Sequence, residues 1–202
     1  MKIDPNEWNM PSYPPFFPLD ETSEWALGLH AEINAKIFGQ IAMAPEDAAL
    51  LAQAVANAGD GNHLEIGSLF GGSAILAALT KKKYGLSGEI HCIDDGDMTL
   101  EDYIQNNAYV FRVEDMLTVY KGHSNPFPLP QSMRFASTLI DAGHEYPDCY
   151  SDWRNAKEIT DKYIIFHDYD PSHMGVVEVA KEALREWRPV FLAEHTLILE
   201  KP

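Results

Sequence analysis

Apolar residues recur along this chain at two alternating spacings, and the alternation is regular from Pro45 onward. PEDAALLAQAVANAG (45–59) has helical spacing, opens on proline and two acids and stops at Gly59, which predicts a helix. HLEIG (63–67) is a short apolar run around one acid and predicts a buried strand. GGSAILAALTKKKYG (71–85) returns to a helix, with lysines in its last turn where cations complement the helix dipole. GEIHCID (88–94) is a second strand, and TLEDYIQNNA (99–108) a helix whose Thr99 and Asp102 stand at the spacing of a capping box. LTVYKG, FASTLID and YIIFHD are further strands, each running into polar residues. MGVVEVAKEALREW sets Val176, Val177, Ala180, Leu184 and Trp187 on one helical face. RPVFLAEHTLILEK holds two strand-like runs separated by little more than a turn, an expected antiparallel pair.

The first 44 residues have a different texture. MPSYPPFFPLD mixes prolines with aromatics, and ETSEWALGLHAEINAKIFGQ is weakly periodic, so residues 1–44 are expected to form an arm or cap and residues 45–202 the domain. Strands alternating with helices imply an α/β fold, a Rossmann-like and mostly parallel sheet with helices on both faces. Such sheets bind ligands at the carboxyl ends of their strands, which is where this sequence keeps its polar residues.

The first strand enters its helix through LEIGSLFGGS, and the glycine spacing discriminates among ligands. A triphosphate loop requires GxxxxGK[ST], but Ser73-Ala74 stands where lysine and a hydroxyl are needed. A dinucleotide fingerprint requires GxGxxG, which Ser68-Leu69 breaks, disfavouring a nicotinamide-dependent oxidoreductase. What remains is Glu65-x-Gly67-x-x-x-Gly71-x-Ser73, with Asp94 ending the next strand. An acid at Asp94 suits the two hydroxyls of a ribose, and an acid in the corner can face an ammonium group. A ribose joined to an amino acid is S-adenosylmethionine.

Charge narrows the partners. A net charge of −16, from 31 acids against 15 bases, repels phosphate backbones and anionic bilayers, so a small molecule is expected rather than nucleic acid or membrane. Cys92 and Cys149 show no CxxC or zinc spacing, and MKIDPNEW lacks a signal-peptide pattern, which leads to the expectation of a reducing cytoplasm. A homo-oligomer is compatible with the sequence.

These motifs, in order, resemble class I S-adenosylmethionine-dependent methyltransferases of the small O-methyltransferase-like group. The likeness runs through LEIGSLFGGS, IHCIDD, YKGHSNPFPLP, TLIDAGHEYPDCYSDW and YIIFHDYD. It implies a seven-stranded sheet with a late antiparallel hairpin. It also implies that Glu65, Gly67, Ser68, Gly71 and Ser73 line the methionine and sugar side of the cofactor, with Asp141 helping to orient it. Asp94 would hold the ribose and His123-Ser124 would border the adenine. Catechol and macrolide-sugar O-methyltransferases bind magnesium after strands four and five. Asp141 and Asp168 match two of those ligand positions, while His167 departs from them and suits a transition metal better. A divalent metal on Asp141, His167 and Asp168 therefore stays open, beside the alternative that these residues only order the loops. The catechol enzyme's lysine base, three residues past the metal aspartate, corresponds to His144; His167 is the second choice as base. The resemblance points to O-methylation of a sugar, phenol or polyketide-like hydroxyl. A related adenosylmethionine-binding protein with other chemistry, such as a cephalosporin-hydroxylase-like one, is the alternative.

Overall fold

The computed structural model describes residues 20–96, 100–192 and 195–202; the proline- and aromatic-rich stretch before Asp20 and the expected Thr99 cap lie outside them. Seven strands form one sheet: β1 (Asn62–Ile66), β2 (Ile90–Asp94), β3 (Leu117–Lys121), β4 (Phe135–Ile140), β5 (Thr160–Phe166), β6 (Arg188–Leu192) and β7 (Leu197–Glu200). Their order is β3-β2-β1-β4-β5-β7-β6. The first five are parallel, and β7 is antiparallel to both neighbours, so the terminal pair forms the expected hairpin.

The strands read as unbroken apolar runs because both faces are covered. On β5, Tyr163 and Ile165 pack into one core while Ile164 and Phe166 pack into the other, the period of two that a pleated strand imposes. The first core holds helices α1 (Glu21–Lys36), α2 (Pro45–Ala58), α3 (Gly72–Tyr84) and α4 (Leu100–Val110). The second holds α5 (Tyr146–Ile159) and α6 (Met174–Ala183), with Trp153, Phe166 and Trp187 at its centre. No helix among the described residues is long and apolar enough to cross a membrane.

Two helices exceed what the pattern predicts. α1 buries Thr22, Ser23, Ala26, Leu29, His30 and Ile33, a helical stripe whose small and polar members hide its period. Asp20 caps it by accepting from the amides of Thr22 and Ser23, and Ser23 Oγ donates to Gln53 Oε1 on α2 at 3.2 Å. α5 buries Cys149, Asp152, Trp153, Ala156 and Ile159, and the aspartate in that stripe conceals the spacing. α6 stops at Ala183, before Leu184 and Trp187, although Trp187 still packs into the core.

Candidate active site

At the carboxyl edge of the sheet a cavity of about 700 Å³ opens between the ends of β1, β2, β3 and β4. The glycine corner forms its floor. Gly67 has φ +92°, and a Cβ there would stand 2.3 Å from the Asp141 carbonyl oxygen, so only glycine lets the ends of β1 and β4 approach. The two strand ends are tied by Asp141 N–H to the Ile66 carbonyl at 2.8 Å, and β1 to β2 by Gly67 N–H to the Ile93 carbonyl at 2.8 Å. Gly71 is the left-handed N-cap of α3. A Cβ on Gly72 would meet Ile41 at 2.7 Å, so the corner also accepts the segment before α2. That segment brings Gln40, Ala42 and Met43 to the cavity wall, which sequence spacing does not reveal.

Gly67, Ser68 and Ser73 line the cavity, whereas Glu65 and Gly71 do not border it. Glu65 is fully buried behind Ser73, whose hydroxyl donates to Glu65 Oε2 at 2.9 Å; His63 Nε2 stands 3.7 Å from Glu65 Oε1. Asp94 lines the cavity and laces the corner to β2: its Oδ2 accepts the amides of Ser68 (2.8 Å) and Leu69 (2.7 Å), and Oδ1 accepts Gly96 N–H at 2.9 Å. Oδ1 keeps capacity for a further donor. His123 and Ser124 border the same space, and His123 Nδ1 lies 3.0 Å from Asp95 Oδ2 on the surface.

Beyond β4 and β5 the side chains pair with one another. His167 is 5 % exposed, with Nδ1 3.0 Å from Asp141 Oδ1 and 3.4 Å from Asp168 Oδ2. Its Nε2 faces Asp47 of α2 at 3.9 Å, and Asp47 in turn accepts from Thr196 Oγ1 at 2.7 Å. Burial alone would push the imidazole down, but the Asp141 and Asp168 carboxylates outweigh it and carry it up to about 10. Burial also pushes the Asp141 carboxyl up, so both directions keep a proton between the two groups. Asp168 has φ +53°, a strained conformation for a residue other than glycine. Burial would raise Asp168, yet its hydrogen bond to His167 and the neighbouring imidazoles hold it below the usual carboxylate range.

His144 Nε2 lies 2.8 Å from Asp168 Oδ2 at the cavity, and its ring is 4.4 Å from that of His173. Asp170 gathers His173 Nδ1 at 3.0 Å and His195 Nδ1 at 3.2 Å. Asp141, His144 and Asp168 line the cavity, while His167 does not border it. No spacing in the sequence marks Asp47, His173 or His195 for this edge; each belongs to a loop or helix whose fit to it is set by tertiary packing.

A seven-stranded sheet with its last strand slotted antiparallel between the fifth and sixth, and a glycine corner leading into a polar edge, is the arrangement of class I S-adenosylmethionine-dependent methyltransferases. The chain belongs to the methyltransferase domain family, whose model matches residues 64–169. None of the curated proteins compared with it matches its sequence. Among solved structures it resembles the O-methyltransferase from Bacillus cereus in complex with SAH (S-adenosylhomocysteine), at 18% identity and TM-score 0.64 over 92% of this chain and 93% of that one. It is also similar to the O-methyltransferase TomG from Streptomyces achromogenes, involved in tomaymycin synthesis and solved with SAM (S-adenosylmethionine), at 16% identity and TM-score 0.64 over 91% of each chain. The SAH-bound methyltransferase PaMTH1 of Podospora anserina matches at 10% identity and TM-score 0.63, over 92% of this chain and 98% of that one.

Proposed function

We propose that the protein transfers the methyl group of S-adenosylmethionine to a hydroxyl of a small molecule, a sugar, phenol or polyketide-like alcohol, with His144 as the base. The observation that carries this reading is His144 Nε2 at 2.8 Å from Asp168 Oδ2 on the cavity wall, a proton acceptor oriented by a carboxylate. The acceptor oxygen attacks the methyl carbon, the carbon–sulfur bond breaks toward sulfur, and the hydroxyl proton passes to His144. Asp168 steadies the imidazolium that results. Oxygen is the favoured acceptor atom because the Bacillus cereus and TomG neighbours are O-methyltransferases.

For the cofactor, Gly67, Ser68 and Ser73 take the methionine side together with Asp141, Asp94 takes the sugar through Oδ1, and His123 and Ser124 border the base. Gly71 shapes the corner, and Glu65 acts through Ser73. The stretch between α1 and α2 serves as the cap, with Gln40 and Met43 on the cavity wall, while α1 itself packs into the first core.

The donor atoms of Asp141, His167 and Asp168 lie within 4.8 Å of one another, a set of two carboxylates and an imidazole that fits a divalent transition ion. Those three residues would hold it, with release of the proton that Asp141 and His167 keep. When bound, such an ion supplies charge that favours the deprotonated acceptor. Chelator-sensitive turnover restored by added divalent ion is the corresponding measurement.

The reading is tested in two steps. Calorimetry should show adenosylhomocysteine binding where NAD and ATP do not; binding of NAD alone would overturn it. With an acceptor in hand, His144→Ala should lower turnover by about 10²–10⁴-fold and leave adenosylhomocysteine affinity in place. A change below about threefold on that scale would remove His144 as base; His167, the second choice from the sequence, is buried off the cavity and holds its proton, so it does not take over the role.

A further inference from the structure

One buried carboxylate at the cavity belongs to no pairing described so far. Asp152 sits on the buried face of α5, is 1% exposed and lines the cavity beside Ser124. Neither of its carboxylate oxygens has a hydrogen-bond partner among the described residues. Burial pushes the carboxyl up to about 6; the Ser124 hydroxyl favours the charged form without a bond of ordinary geometry, and Asp148 one turn earlier opposes it. A buried carboxylate without a donor is costly, and a cavity wall is where a ligand supplies the donor.

The location selects that ligand group. Along the cavity, Ser73 and Asp141 mark the end given to methionine and Asp94 the place given to the sugar. The base, attached to the far side of the sugar, then falls against Ser124 and Asp152. Adenine carries a 6-amino group with two N–H donors at its outer edge.

We propose that Asp152 reads this group, its carboxyl oxygen accepting a hydrogen bond from the adenine 6-amino nitrogen, so that the site selects a 6-aminopurine over a 6-oxopurine. The inference rests on the adenosylmethionine reading above and adds to it a residue that fixes base specificity. A 6-oxo group turns a lone pair toward the carboxylate and loses the bond.

The test compares S-adenosylhomocysteine with S-inosylhomocysteine, which differ only at that purine, by calorimetry on the full chain. The wild type should prefer the adenosyl compound by about 10- to 100-fold, the scale of one buried polar partner. Asp152→Asn, whose amide can donate to the 6-oxo group, should lose adenosyl affinity and narrow or reverse the preference. Equal binding of the two compounds by the wild type, or undiminished preference in the variant, overturns the inference while leaving the cofactor reading intact. Failure of the wild type to bind either compound overturns both. The wild-type comparison needs no variant, so a folding defect in Asp152→Asn does not blunt it.

Discussion

The two halves of the carboxyl edge solve opposite problems. On the β1–β2 side, the carboxylate at the cavity is satisfied by the backbone: Asp94 accepts three amides from the loops around it, and the glycines permit close approach. On the β4–β5 side, side chains satisfy side chains, with His144, His167 and His173 arrayed around Asp168, and Asp47 and Asp141 closing over His167. The first half is a shape set by close backbone contacts. The second is a charge network with a proton to move. On the function proposed above, cofactor recognition is built from local chain geometry, whereas acceptor chemistry needs elements brought from α2, β4, β5 and the loops beyond.

The largest effect should come from the charge network. His167→Leu leaves buried Asp141 without its cationic partner and should cost about 3–5 kcal/mol in denaturant unfolding. The pH dependence has a definite sign. The folded state binds the His167 proton more tightly than the unfolded chain, whose imidazole titrates near 6.5. The stabilisation is thus complete below about pH 6.5 and drains away as pH rises toward about 10, a slope the variant should lack. Loss of less than about 1 kcal/mol would show that the network is not the anchor of its half.

A smaller effect is expected in the shape-built half. Asp94→Ala frees the amides of Ser68 and Leu69 and removes the proposed sugar acceptor, so adenosylhomocysteine affinity should weaken by about 1–3 kcal/mol. Unchanged affinity by calorimetry would move the sugar contact to Asp95. The smallest effect should be at the rim: His123 is 78% exposed, and its pair with Asp95 should contribute less than about 1 kcal/mol to stability. A larger loss in thermal unfolding of His123→Ala would mean that the rim supports the β3 loop.

The same contrast governs how much the sequence discloses. Glycine spacing is legible because a turn of a few residues determines its own shape, and the strands are legible because burial on both faces leaves apolar runs. The charge network is only half legible. His144, His167 and Asp168 stand out by following strands, but Asp47 reads as an ordinary first-turn acid of α2 until folding sets it against His167 and Thr196. α5 escapes the pattern for a related reason, since Asp152 interrupts its apolar stripe at the position that faces the cavity.

The contact between Gly67 and the Asp141 carbonyl has a consequence for descent and redesign. Where that approach is 2.3 Å for a single added carbon, no stepwise substitution can pass without parting β1 from β4. The position is a fixed point of the corner, whereas the side chains on the outer walls, Gln40 and Met43 among them, are where substitution would admit a different alcohol on the function proposed above. Effort to alter the acceptor belongs on those outer walls.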